Sequence, residues 1–171
     1  MKDPSGLSII IVSVDGGIAR TLRMALRGVN VRSITLASSQ QQALEAFATV
    51  DPHALVIYVD GPENDAGLEM MRYIRRSPQS PNPRIPVIAV SPRRELSTIN
   101  AVINAGGHEY VLFPASGDTL VKKIMAAWQT TRPWIEQSDY VGPCRRRRED
   151  KAYSGPERRA ERKAKAPTAA E

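Results

Sequence analysis

The sequence predicts an α/β domain, a doubly wound sandwich built on five parallel strands in the order 2-1-3-4-5. Two observations predict it. Five short apolar runs alternate with five stretches whose apolar residues recur at helical spacing. The runs are also nearly continuous, as in Ala54-Leu55-Val56-Ile57-Tyr58-Val59, which suits strands buried on both faces. Parallel neighbours need crossovers of helical length, and right-handed crossovers cover both faces of the sheet.

The first strand is Leu7 to Val14. Ile18, Leu22, Ala25, Leu26 and Val29 then mark one face of a helix. Val31 to Ala37 reads as a loosely alternating second strand. Ser38 or Ser39 caps a helix with Ala43, Leu44, Phe47 and Ala48 on its apolar face, ending near Val50 before Asp51-Pro52. Strand three is Ala54 to Val59. Leu68, Met71 and Ile74 mark the third helix, and the proline-rich loop Ser77 to Pro83 stops it. Ile85 to Val90 is strand four, with Pro86 tolerable near its start. Leu96, Ile99, Val102 and Ile103 give helix four, closed by Gly106-Gly107. Tyr110 to Phe113 is strand five, and Leu120, Ile124, Ala127 and Trp128 give helix five.

The 171 residues divide into a flexible start (1–6), one domain (7–130) and a basic, largely irregular extension (131–171). No run of eighteen apolar residues occurs, so no membrane insertion is expected. Met1 to Gly6 lacks the form of a signal peptide, and a cytoplasmic location is expected. Cys144 is the single cysteine, which excludes an internal disulfide and reads as a bystander thiol. The net charge is +6, yet Tyr140–Glu171 holds ten basic and five acidic residues, so the body is nearly neutral. That balance argues against a globally basic nucleic-acid binder.

The predicted order makes strands one and three neighbours. Asp15 and Asp60 then meet on the rim at the carboxyl ends of the strands, where open α/β sheets do their chemistry. Two carboxylates with backbone oxygens and water can hold Mg²⁺, and one of them can act as nucleophile toward a phosphoryl group. Ser91 ends strand four and can donate its hydroxyl to such a group. Plainer roles stay open: Asp15 as a helix cap, Asp60 and Ser91 as turn residues. His53 and His108 read as surface turn residues. No His/Cys metal spacing is present, and Gly16-Gly17 alone is too weak for a nucleotide loop.

These residues resemble the response-regulator receiver family, the CheY-like phosphoacceptor domains, from Leu7 to Thr130. Ile10-Ile11-Val12 leads to Asp15, with Arg20 five residues on. Asp60, Asp65, Gly67, Leu68 and Glu69 are similar to the phosphoacceptor strand and its loop. Ile85 to Ser91 is similar to the strand carrying the switch Ser/Thr, and Gly106 to Pro114 to the last-strand motif. The resemblance implies a flavodoxin-like, CheY-like fold and a non-enzymatic signalling module of two-component phosphorelays. It implies Asp60 as phosphoacceptor, Ser91 as switch hydroxyl, and Mg²⁺ held by Asp15 and Asp60. The implied partners are a sensor histidine kinase or phosphotransfer protein, a downstream signalling protein, and a second copy through the face of helix four, strand five and helix five.

The chain departs from the family at three places. Where members carry two adjacent acids after strand one, this chain has Val14 and Asp15. Asp60 to Gly67 takes seven steps where the family takes eight, so either the loop is one residue short or Val59 occupies the acceptor's place. The lysine before the last-strand proline is Phe113, so the point charge that pairs with the acceptor is missing. Phe113-Pro114 still suits the cis bond that many receivers have there. A phosphorylation-independent pseudo-receiver is therefore the alternative.

The extension carries a repeat. Tyr140-Val141-Gly142-Pro143-Cys144-Arg145-Arg146 and Tyr153-Ser154-Gly155-Pro156-Glu157-Arg158-Arg159 both read Tyr-x-Gly-Pro-x-Arg-Arg, thirteen residues apart. Two copies suggest two docking points, aromatic anchors on apolar spots with arginines on carboxylates; a solubilising tail is the alternative. Residues 160–171 are rich in Ala, Lys and Arg and read as transiently helical. Arg145–Arg148 could meet nucleic-acid phosphates, but no recognition helix follows. A small Mg²⁺-dependent phosphotransfer or hydrolytic enzyme is the third class, and no general base supports it.

Overall fold

The computed structural model describes residues 3–63, 65–129 and 132–145. In chain order its elements are β1 (Ser8–Val12), α1 (Gly16–Gly28), β2 (Ser33–Ala37), α2 (Gln40–Thr49), β3 (Ala54–Tyr58), α3 (Ala66–Arg76), β4 (Val87–Ser91), α4 (Leu96–Asn104), β5 (Glu109–Leu112) and α5 (Gly117–Gln129). The antiparallel pair β6 (Trp134–Glu136) and β7 (Val141–Pro143) follows. The main sheet has five parallel strands in the order β2-β1-β3-β4-β5. This is the predicted flavodoxin-like order.

Alternation along the strands divides the core in two. Ile10, Val12, Leu55, Ile57, Val87 and Ala89 face α2, α3 and α4, where Ala43, Leu68, Met71, Ile74 and Val102 meet them. Ile9, Ile11, Val56, Ile88 and Val90 face α1 and α5, against Leu22, Leu26, Leu120 and Ile124. Ile9, Ile10 and Ile11 are all completely buried. Each is worth about 1.5–3 kcal/mol relative to exposure, which holds β1 inside the sheet between β2 and β3.

Local signals set the ends. Asp15 caps α1, accepting from the amides of Gly17 and Ile18 at 2.7 and 3.0 Å. Ser39 caps α2 through the Gln42 amide. Helix α1 ends at Gly28, before Asn30 takes a left-handed turn with φ 68°. Strand β4 starts at Val87 rather than Ile85, because Pro86 has no N–H and offers only its carbonyl, to Leu55. Phe113-Pro114 is cis. At the start, Pro4–Gly6 forms a short 3-10 turn capped by Asp3.

The lower end of the sheet, opposite the rim with Asp15 and Asp60, departs from the sequence reading. His108 is 8% exposed, not a surface turn residue. Beside it Arg75 of α3 is 3% exposed, although α3's apolar stripe gave no sign of a buried charge. The guanidinium donates to the carbonyls of Gly106, Pro83 and Ile85 at 3.0, 2.7 and 2.9 Å. It also reaches His108 Nδ1 at 3.1 Å, where the Val87 amide donates as well. Both neighbours can only donate, so Nδ1 is the acceptor and the ring is neutral with its proton on Nε2. Burial pulls the His108 pKa down to about 3, with Arg75 and Arg132 adding repulsion. Burial also lowers Arg75 to about 9. Glu109, 6% exposed, is paired with Lys123 at 2.9 Å and Arg132 at 2.7 Å. His53 is half-buried; its Nδ1 accepts from the Ser8 amide, and its ring meets Trp128 edge-on.

A pH dependence follows. Unfolding frees His108 to bind a proton near pH 6.5, which the folded site refuses until about pH 3. Its contribution is therefore complete above pH 6.5 and is lost as pH falls toward 3. Between pH 7 and 5 the loss is about 2 kcal/mol. Urea unfolding at the two pH values measures it, and His108→Gln flattens the difference.

The sequence left 131–171 largely irregular, but β6 and β7 form a hairpin against this lower end. Three-residue strands carry too little pattern to be read in advance. The second Tyr-x-Gly-Pro-x-Arg-Arg copy and residues 160–171 lie outside the described residues. Among the described residues, no helix is long and apolar enough to cross a membrane.

Candidate functional site

The rim forms because β1 and β3 are neighbours in register. Val12 lies opposite Ile57, so Asp15 and Asp60, each three residues further on, emerge at the same edge. Tyr58, the last residue of β3, is influenced by both carboxylates. Its hydroxyl is 3.5 Å from Asp60 Oδ1. Burial raises its pKa first, then the Asp60 carboxylate and the bond to it, then Asp15; Arg93 opposes the shift.

Asp60 is an exposed carboxylate, its side chain 67% accessible. Its backbone is fixed more firmly than its side chain. Asp65 Oδ2 accepts from the amides of Asp60 and Gly61 at 2.7 and 3.3 Å, while Oδ1 caps α3 through Leu68 at 3.0 Å. Asp65 therefore spends its charge closing the β3–α3 loop. Arg93, in the loop after β4, donates from Nε to the Asp60 carbonyl at 2.9 Å. Its terminal nitrogen lies 3.9 Å from Asp60 Oδ1. Both partners of that ion pair are more than half exposed, so it contributes under about 1 kcal/mol and is readily displaced.

The β4–α4 loop is held at two further points. Ser91 is fully buried, and its Oγ accepts from the Arg93 amide at 3.2 Å, which leaves the hydroxyl proton to donate. Tyr110 of β5 donates to the Arg93 carbonyl at 2.7 Å. Phe113 occupies the position where a cation was missed in the sequence. Its ring meets Tyr58 edge-on with centroids 6.3 Å apart. Val14 is 71% exposed, and Val59, the eighth residue before Gly67, is completely buried in the α3-side core.

The structure thus brings Asp15, Asp60 and Ser91 to one end of the sheet. Asp15 has the helix-capping role left open by the sequence, with Oδ1 committed to two amides. Among the described residues no group of three or more His, Cys, Asp or Glu side chains is placed to hold a metal. The donor set on this rim is two carboxylates, each partly engaged by protein donors. Sequence reasoning missed Arg93 and Tyr58. Tyr58 shares the strand parity of Asp60 and was legible on that ground. Arg93 was not, because its contact spans 33 residues through tertiary packing.

Residues 9–125 match the response regulator receiver domain family. The chain belongs to this family, whose members are signalling adaptors of two-component systems. It is 32% identical over 127 residues to the response regulator MprA of Mycobacterium leprae, covering 74% of this chain and 53% of that protein. It is 31% identical over 135 residues to the protein RcaC of Microchaete diplosiphon, covering 78% of this chain and 20% of that protein. The match therefore spans about half or less of the length of these relatives. A putative response regulator from Chloroflexus aurantiacus has the same fold, with a TM-score of 0.61 at 24% identity over 72% of this chain and 98% of that one. Chemotaxis protein CheY4 of Vibrio cholerae gives 0.60 at 16% identity over 71% and 98%.

Proposed function

We propose that this receiver domain signals through protein contact and that its phosphoryl chemistry is reduced to a slow reaction at Asp60. The observation that carries this reading is the surroundings of Asp60. The exposed carboxylate faces Arg93, while the Tyr58–Phe113 pair fills the neighbouring place with aromatic carbon. Arg93 supplies one positive group near the acceptor; the lysine and the second acid typical of the family are replaced by Phe113 and Val14. In the reaction, a carboxylate oxygen of Asp60 attacks the phosphorus of a phosphohistidine or acyl phosphate. The P–N or P–O bond to the donor breaks, and the donor leaves with that electron pair. Asp15 and Asp60 are the residues that would hold Mg²⁺, which would neutralise charge on the phosphoryl oxygens. Ser91 would donate its hydroxyl to one of them.

The donor in this reading is a sensor histidine kinase or phosphotransfer protein, in the cytoplasm, and a downstream signalling protein reads the result. Leu96 and Leu112, 74% and 40% exposed, give the face of α4, β5 and α5 apolar contacts for such a protein or for a second copy. The buried Val59 favours a second reading. With an apolar residue in the acceptor's counted place, the domain is a phosphorylation-independent adaptor.

Incubation with a small acyl phosphate and Mg²⁺, followed by intact-mass measurement and peptide mapping, separates the two. The first reading expects one added phosphoryl group on Asp60, not formed when Mg²⁺ is chelated beforehand and absent in Asp60→Asn. Uptake that survives Asp60→Asn contradicts it. No uptake under any condition leaves the adaptor reading standing.

A further inference from the structure

A cavity of about 340 Å³ opens at the lower end of the sheet, away from Asp60. That is at the small end of the range for small-molecule sites, about 300–1,000 Å³. Its walls come from two parts of the chain. Asn82, Arg84 and His108 belong to the family domain of residues 9–125, and Arg132 and Trp134 to the extension. The sequence has two tryptophans, Trp128 and Trp134, and both line this cavity. The hairpin wall is held by close fits. A Cβ on Gly142 would lie 2.9 Å from Gly106 Cα, so the hairpin seats directly on the turn before β5. Tyr140, 4% exposed, donates its hydroxyl to the Pro143 carbonyl at 2.6 Å, and the Arg145 guanidinium covers its ring at 4.0 Å. Arg76 ties the hairpin to α3 by donating to the Asp139 carbonyl at 2.8 Å. The cavity is therefore preorganised.

His108 supplies one donor. Its Nδ1 accepts from Arg75 and the Val87 amide, which leaves the proton on Nε2, and no described residue accepts from Nε2–H. His108 is 8% exposed, yet among the described residues no buried side-chain nitrogen lacks a partner. Nε2–H therefore reaches open space, and the space that His108 lines is this cavity. Arg84 supplies the second donor. Its guanidinium lies over the Trp134 ring at 5.6 Å and pairs with no carboxylate among the described residues. The neighbouring guanidiniums are committed, Arg75 to three carbonyls and His108, Arg132 to Glu109. Among the described residues no Asp or Glu lines the cavity. Both donors lie beside Trp134, the His108 ring with its centroid 6.5 Å away. One uncompensated cation beside one neutral donor suits a single carboxylate, with an oxygen for each. Trp128, 45% exposed, and Trp134 give flat apolar walls that suit a planar ring.

We infer that this cavity binds a small aromatic carboxylate. Its carboxylate is held by Arg84 and the His108 Nε2–H, and its ring lies against Trp128 and Trp134. A ligand there bridges the family domain and the extension, at the opposite end of the sheet from the phosphoryl chemistry.

The probe is 4-iodobenzoate added to the full chain at neutral pH, because iodine quenches indole fluorescence on contact. Saturable quenching is expected, with a dissociation constant of about a millimolar or below. The uncharged 4-iodobenzamide should bind about tenfold weaker or more, and Arg84→Gln should bring the acid to the amide's level. Arg84 is exposed, so this variant spares the fold. Trp128→Phe and Trp134→Phe each leave one reporter, and both reporters should be quenched. Lys122→Gln, at the separate cavity beside Pro4 and Met125, should change nothing. Equal binding of acid and amide, Arg84→Gln binding like wild type, quenching of one tryptophan alone, loss of binding in Lys122→Gln, or no saturation by about 10 mM overturns the inference. Tighter binding of inorganic phosphate or adenosine monophosphate than of the benzoate overturns the carboxylate assignment as well.

Discussion

Arg75→Met is expected to cost about 3–5 kcal/mol of folding stability. The side chain is buried and joins α3 to the Pro83–Ile85 segment, the Gly106 turn and His108 through four hydrogen bonds. Methionine matches the aliphatic stem but donates to none of them. Buried carbonyls left without partners each cost about 1–3 kcal/mol, less what the Arg75 charge already lost on leaving water. Its neighbour Arg76 is exposed and donates to a single carbonyl, so Arg76→Met should cost under about 1 kcal/mol. Urea unfolding of the two variants beside wild type checks the contrast. Because the Gly106 turn is also the seat of the hairpin, Arg75→Met should also raise fluorescence changes at Trp134 before the main transition.

The sheet was legible because its signals are local and redundant. Ile9 to Val12, Ala54 to Tyr58 and Val87 to Ser91 are continuous apolar runs, and helical periodicity between them leaves one economical topology. Residue type named Asp15 as one possible cap and left Ser38 or Ser39 for α2, between which the Gln42 amide selects Ser39. What escaped depends on distant partners. Arg75 sits at a position where α3's stripe predicts carbon, and its burial is tolerable only because the Gly106 carbonyl, 31 residues away, accepts from it. His108 looked exposed beside two glycines, but that turn is covered by a hairpin too short to show a pattern. At the rim the acidic residues were found, while the cation near Asp60 was not, since Arg93 reaches it only after β4 pairs with β3. The repeat was visible as a repeat; its arginine was expected on a carboxylate and instead covers Tyr140.

Restoring the two missing charges should speed phosphoryl uptake at Asp60 more than any other change on the rim. In the double variant Val14→Asp, Phe113→Lys, an acid returns beside Asp15 and an ammonium returns beside Tyr58, whose hydroxyl lies 3.5 Å from Asp60 Oδ1. One preorganised charge near a transferring phosphoryl group is worth about 2.7–4 kcal/mol in a dry site. This rim is wetter, with Val14 71% and the Asp60 side chain 67% exposed, so the gain is smaller. An acceleration of about tenfold to a hundredfold is expected, about 1.4–2.7 kcal/mol of barrier. Each single variant should give part of it, and the Tyr58–Phe113 contact that is lost should cost about 0.5–1.5 kcal/mol of stability.

The most direct measurement is the initial rate of Asp60 labelling by a small acyl phosphate with Mg²⁺, followed by intact mass in wild type and in this double variant. A slow wild-type rate and a rise of about tenfold or more, abolished by Asp60→Asn, is the predicted result. Equal rates in the two folded proteins, or labelling that moves to another residue, would contradict a receiver site slowed by its missing charges.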